Sequence, residues 1–131
     1  VEAVVNHGKK LYPHLIFHAL KPNSYIQKYP HMKFDLILCS EVLEHVIDKE
    51  NFINDLFALL KKNGIAIIST PRKELYEEWT KKNGMPPQPI EEWISTDECI
   101  NLFESNGFNH LLNTNAFDMD IYQIHSFKKI R

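Results

Sequence analysis

The apolar positions of the chain fall into two patterns, helical stripes and short unbroken runs. From residue 48 to 62, Phe52, Leu56, Leu59 and Leu60 recur at helical spacing and the stripe closes on Lys61-Lys62-Asn63-Gly64, which predicts the clearest helix of the chain. Two strand-sized apolar runs flank it, at residues 34–39 and 65–69. Together they make a strand-helix-strand unit of about 30 residues, the length that joins parallel strands by a right-handed crossover. Upstream, residues 2–11 have helical composition up to the Tyr12-Pro13 break, and residues 15–20 read as a buried strand. Pro22, Asn23 and Ser24 open an irregular stretch that runs through Pro30. Downstream, residues 72–83 predict a helix and residues 84–89 a stiff, proline-rich loop. Thr96-Asp97-Glu98 caps a further helix to about Asn106, with Gly107 as its stop signal. Residues 108–114 and 121–127 are the last two strands, antiparallel because the connection between them is short.

Helices alternating with continuously apolar strands point to an α/β domain, an open and mostly parallel sheet covered by helices on both faces. Ligands of such sheets bind beyond the carboxyl ends of the central strands. That directs attention to Leu20-Lys21, Cys39-Ser40-Glu41 and Thr70-Pro71-Arg72. At 131 residues the chain is long enough for one such domain and too short for two, so residues 1–131 are read as a single unit. The net charge of -2 supplies no surplus of positive charge for a phosphate backbone, so a nucleic-acid partner is unsupported. The lysine doublets are scattered and read as solvation and helix-dipole complements. No apolar run approaches the roughly 20 residues of a membrane span, and no signal-peptide pattern opens the chain. Cys39 and Cys99 lack the spacing of a zinc site or disulfide framework and read as buried thiols of a reducing cytoplasm.

The run Phe34-Asp35-Leu36-Ile37-Leu38-Cys39-Ser40-Glu41-Val42-Leu43-Glu44-His45-Val46 closely resembles the fourth-strand motif of class I, Rossmann-like S-adenosylmethionine-dependent methyltransferases of the small-molecule, type 11 kind. Leu60 to Pro71 looks like that family's next motif, a turn after a helix followed by a strand. Trp93-Ile94-Ser95-Thr96 through Gly107-Phe108 is similar to its late helix before a final strand pair. The resemblance covers the chain from the second half of the fold onward. It implies a Rossmann-like sheet with a C-terminal antiparallel pair and with its N-terminal strands missing. It also implies S-adenosylmethionine or S-adenosylhomocysteine as cofactor and a small-molecule acceptor as substrate.

Family members normally open with a strand, a Gly-x-Gly-x-Gly loop and a strand ending in an acid. None of these precedes Val1, and the four glycines, at 8, 64, 84 and 107, cannot assemble a substitute. Glu2 reads as a helix start. Leu20-Lys21 stands where the family often has an Asp for the adenine amino group, and a lysine cannot accept that hydrogen bond. The absent first strand would lie between the strands at 15–20 and 34–39, which leaves unpaired edges for an upstream segment or a partner chain to complete. By the resemblance, Cys39, Ser40 and Glu41 line the methionine side of the cofactor and Leu20-Lys21 its adenine side. His45 or Glu41 serves as base if the acceptor must lose a proton. The plainer reading of His45 is a capped or buried histidine. Arg72 stands ready to pair with an anionic acceptor group, or is solvated at a helix start. Tyr76, Trp79 and Trp93 form a lid over the acceptor, or pack a helix on the sheet.

Two other functions fit the same residues. A methyltransferase-fold module that binds or scaffolds without cofactor is favoured by the absent glycine loop. A metal-dependent RNA 2′-O-methyltransferase would need Glu41, Glu44 and His45 on one helical face; the further histidine motif of that family is not recognisable after Thr70-Pro71, and the expectation is no metal site. For the chain alone, weak or no catalysis is expected.

Overall fold

The computed structural model describes residues 1–87, 89–90, 92–115 and 120–130. Helix α1 spans Glu2–Leu11 and α2 Pro22–Lys28; strand β1 covers Phe34–Ser40 and is followed by a 3₁₀ turn at Leu43–His45. Helix α3 (Lys49–Leu59), strand β2 (Leu60–Pro71), helix α4 (Lys73–Asn83), helix α5 (Thr96–Ser105) and the strands β3 (Phe108–Asn115) and β4 (Tyr122–Lys129) complete the order. The four strands form one sheet in the order β1-β2-β4-β3. β1 and β2 are parallel, as the strand-helix-strand unit requires, and the last two strands form the expected antiparallel pair, with β4 also antiparallel to β2. Of the three pairings, only the first is parallel.

Side-chain alternation along β2 and β4 makes the two faces of this sheet unequal. Ala66, Ile68 and Thr70 are buried and sit opposite Phe127, His125 and Gln123 of β4. Against this face pack Ile53 and Leu56 of α3 and Cys99 and Phe103 of α5, and Phe103 stacks on Phe127 at 4.1 Å between ring centroids. On the other face Ile65, Ile67 and Ile124 are half-buried, while Leu36 and Leu38 of β1 are 55% and 69% exposed. Helix α1 buries none of its residues.

Four local expectations change. No strand forms at residues 15–20: the segment from 12 to 21 is irregular and, apart from Phe17, exposed. A strand exists only with a ladder partner, and among the described residues β1 pairs with β2 alone. The stretch from Pro22 is a helix, because extended Lys21 and Pro22 at the first helical position start it and Tyr29-Pro30 stops it. Helix α3 ends at Leu59, not Lys62; Leu60 already pairs with Phe34, and Asn63 takes a left-handed φ of 64°. The cap of α5 is Ser95, which accepts from the Glu98 N–H while the Glu98 carboxylate accepts from the Ser95 N–H. Gly107 follows α5 at φ 89°, where a Cβ would stand 3.0 Å from the Phe57 ring, so its stop signal holds. In the proline-rich loop, Gln88 lies outside the described residues.

Candidate active site

At the carboxyl ends of β1 and β2 the chain gathers its polar groups. Glu41, one residue past β1, adopts φ 53° and sends its N–H to the Ser69 carbonyl at 2.9 Å, extending the β1-β2 ladder before the chain turns away. A left-handed glutamate costs conformational energy that glycine would not, and such strain clusters at functional sites. The Ser69 hydroxyl donates to Glu41 Oε1 at 2.8 Å, which uses its one proton. The 2.8 Å contact between the Ser40 and Ser69 hydroxyls is therefore donated by Ser40. Burial, partly opposed by the Ser69 hydrogen bond and reinforced by the neighbouring Glu44 carboxyl, raises the pKa of Glu41 above the ordinary glutamate value.

Glu44, buried in the 3₁₀ turn, accepts from the Thr70 hydroxyl at 3.1 Å. His45 contacts the Pro89 carbonyl through Nδ1 at 2.5 Å, so Nδ1 carries a proton, and its Nε2 lies 3.8 Å from Glu44 Oε1. The shared helical face supposed for Glu41, Glu44 and His45 is thus not formed. Glu41 precedes the 3₁₀ turn, and the three groups are engaged by Ser69, Thr70 and Pro89. Among the described residues no group of three or more potential ligands is placed to hold a metal ion.

Beside this cluster a groove of about 710 Å³ runs along β1, lined by Leu20, Leu36, Leu38, Cys39, Ser40 and Val42 among others. Leu20, Cys39 and Ser40 are brought together there; Lys21 and Glu41 do not line it. Burial, with a smaller contribution from Glu44, pushes the Cys39 thiol up to about 12, so Cys39 is a neutral wall and no nucleophile.

The rings of Trp79, Trp93 and Tyr122 surround Tyr76 at centroid distances of 5.4, 5.1 and 5.8 Å. Tyr76 is buried and Trp79 partly exposed. Burial first, then the hydrogen bond with Tyr76, pushes the Tyr122 phenol up to about 12. Arg72 is half-buried at the start of α4. Its Nη1 turns to Asn115 Oδ1 and the Asp120 carbonyl at 3.5 and 3.3 Å, and its buried Nε, like Nε1 of Trp93, has no hydrogen-bond partner among the described residues.

A family model described as "Methyltransferase domain" matches residues 4–119, most of the chain. The chain belongs to this methyltransferase-domain family. Among curated relatives, it is 51% identical over 104 residues to the Ubiquinone biosynthesis O-methyltransferase of Rickettsia prowazekii, covering 66% of this chain and 41% of that protein. The corresponding protein of Rickettsia typhi is 33% identical over 120 residues, covering 74% and 48%. The chain thus matches less than half the length of these relatives. The N-methyltransferase NodS of Bradyrhizobium japonicum, solved with S-adenosyl-L-homocysteine, superposes with a TM-score of 0.70 at 13% identity, covering 98% of this chain and 63% of that one, a likeness of fold.

Within this methyltransferase domain, the residues marked by position after β1 and β2 do converge on one end of the sheet. What the sequence does not single out is the support around them. Ser69, which holds Glu41, is visible only as a polar residue closing an apolar strand, whereas Thr70, which holds Glu44, is already marked by its position at the strand's end. Gln123 and His125 are visible only as polar residues at the inward positions of β4, a pattern whose meaning depends on knowing which face is buried. No helix among the described residues is long and apolar enough to cross a membrane.

Proposed function

We propose that residues 1–131 form the C-terminal part of a single S-adenosylmethionine-dependent methyltransferase domain that methylates an oxygen of a small molecule. The relatives named for ubiquinone biosynthesis support a precursor of ubiquinone as the acceptor. The observation that carries the reading is the convergence of Ser40, Glu41, Ser69, Glu44 and Thr70 at the carboxyl ends of β1 and β2, next to the groove lined by Leu20, Cys39 and Ser40. These residues fit one wall of a cofactor site: Leu20 and Val42 offer apolar surface, and Ser40 a polar rim. Bound there, the cofactor supplies the methyl group.

The chain's own task is to place the acceptor and take its proton. Glu41 is the better base, because burial and the neighbouring Glu44 carboxyl raise its pKa above the ordinary glutamate value and the Ser69 hydroxyl fixes the orientation of its carboxylate. His45 is the second candidate, its Nε2 unprotonated when the ring is neutral. Tyr76, Trp79, Trp93 and Tyr122 wall the acceptor side, with Arg72 behind them. Among the described residues β1 pairs with β2 alone, which supports a further strand, from the same protein or from a partner chain, pairing with β1 to complete the site. Cys39 and Cys99, free and buried, fit a cytoplasmic location.

Two measurements test this. Calorimetric titration of S-adenosylhomocysteine should give micromolar binding to the protein expressed from its complete gene and much weaker binding to the 131-residue chain. The complete protein, given radiolabelled S-adenosylmethionine and quinone precursors extracted from cells lacking their own ubiquinone O-methyltransferase, should yield a labelled methyl ether. Glu41→Gln should lower that turnover by about 100-fold or more while leaving cofactor affinity nearly unchanged. No cofactor binding by the complete protein would favour the inactive scaffolding module.

A further inference from the structure

The inner face of β4 carries two polar side chains where its neighbours are apolar. Gln123 and His125 are 1% and 0% exposed, between Phe127 on one side and the end of β2 on the other. Buried polar groups are retained where their hydrogen bonds are made, and here every bond can be assigned. Gln123 Nε2 donates to the carbonyls of Ile94 and Pro71 at 3.0 and 3.4 Å, so its Oε1 is the acceptor of the pair it makes with His125 Nε2 at 2.8 Å. His125 therefore carries its proton on Nε2. Its Nδ1, bare, accepts from Nε2 of the half-buried His110 at 3.3 Å. The chain of donors runs one way, from His110 through His125 and Gln123 to two backbone carbonyls.

Those two carbonyls belong to segments that lie outside each other's main strand ladders and meet at only a short backbone contact. Pro71 ends β2, and Ile94 follows Trp93 in the connection between α4 and α5. Arg72 and Ile94 make a single parallel bridge, and the Ile94 carbonyl also accepts the Lys73 N–H at 3.2 Å. Gln123 thus clamps the Trp93 segment to the end of β2, and the Trp93 ring rests on Tyr76, the centre of the aromatic wall.

We propose that Gln123, oriented by His125, is a positioning residue that fixes the Trp93 segment against the end of β2 and so sets the shape of the acceptor side of the site. The acceptor role rests on the methyltransferase reading; the clamp does not.

The test uses the protein from its complete gene. Nitrogen-15 spectra of its histidines should show His125 neutral with the proton on Nε2 at pH 7; a proton on Nδ1 overturns the relay without any mutation. Gln123→Met should speed deuterium exchange of the Trp93 indole N–H at least 10-fold relative to wild type and leave that of the partly exposed Trp79 unchanged. The thermal midpoint should fall by only a few degrees. Trp93 exchange unchanged in a folded Gln123→Met variant overturns the clamp. S-adenosylhomocysteine titrated into both proteins separates the two ideas. Affinity equal within twofold in both is expected. Failure of the wild type to bind sinks the methyltransferase reading while leaving the tautomer and exchange results to decide the clamp.

Discussion

Two residues put chemistry and stability in tension. Glu41 takes a left-handed backbone conformation, and its pKa is raised by burial. Both follow from what the position does, which is to turn the chain off the end of β1 while pointing a carboxylate back across it to Ser69. His125 shows the opposite sign. Burial, then the proximity of His110 and Arg72, pulls its pKa from 6.5 down to about 4. A histidine depressed in the folded state favours folding above its unfolded pKa, and the benefit is lost as pH falls from 6.5 toward 4. Because one unit is worth roughly 1.4 kcal/mol, this residue alone should remove about 3 kcal/mol of stability over that window. Urea titrations at pH 7 and pH 4 should find the wild type losing that much more than His125→Gln. Equal losses in the two proteins would mean that His125 is not held neutral.

At the scale of elements, the sequence speaks most clearly where local signals and tertiary partners agree. The stripe of Phe52, Leu56 and Leu59, the apolar runs of β1 and β2 and the glycine after α5 were all sufficient, because each element finds its partner within the chain. Residues 15–20 have the composition of a strand but no partner among the described residues, so the pattern misleads. The end of α3 was invisible for another reason: it is set by side chains far away in sequence. Lys33 Nζ donates to the Ala58 carbonyl at 2.6 Å, and Lys129 Nζ donates to those of Phe57 and Leu60 at 2.7 and 2.9 Å while lying 4.1 Å from the Phe57 ring centroid. Two ammonium groups thus satisfy the carbonyls that a glycine cap would otherwise serve, and complement the helix dipole. Burial, aided by the charge of Lys33, lowers the Lys129 pKa, so the interaction is made by a partly desolvated cation. Lys129→Met keeps the apolar stem and removes the charge and its hydrogen bonds, and should cost about 1–2 kcal/mol in a urea titration. A loss indistinguishable from zero would mean that water serves those carbonyls equally well.

For the molecule as a whole, the unequal faces of the sheet are the governing fact. One face is closed by α3 and α5 with a continuous aromatic and aliphatic core; the other presents Leu36 and Leu38 to solvent beside half-buried Ile65, Ile67 and Ile124, along a strand that, among the described residues, pairs on one side only. The expectation of helices on both faces gains its physical meaning here. A sheet apolar on both faces is stable only if both are covered, and α1, with no buried residue, does not cover this one. If the completed domain lays further structure over Leu36 and Leu38, their burial becomes part of its core. Leu38→Lys should then be nearly neutral in the 131-residue chain, and even improve its solubility by breaking an exposed apolar edge. In the protein from its complete gene the same substitution would bury a charge and cost several kcal/mol. Thermal melts of both lengths with and without the substitution decide the matter. A small effect in both would place this face in solvent in the mature protein, and the groove along β1 would then need another explanation than a site awaiting its second wall.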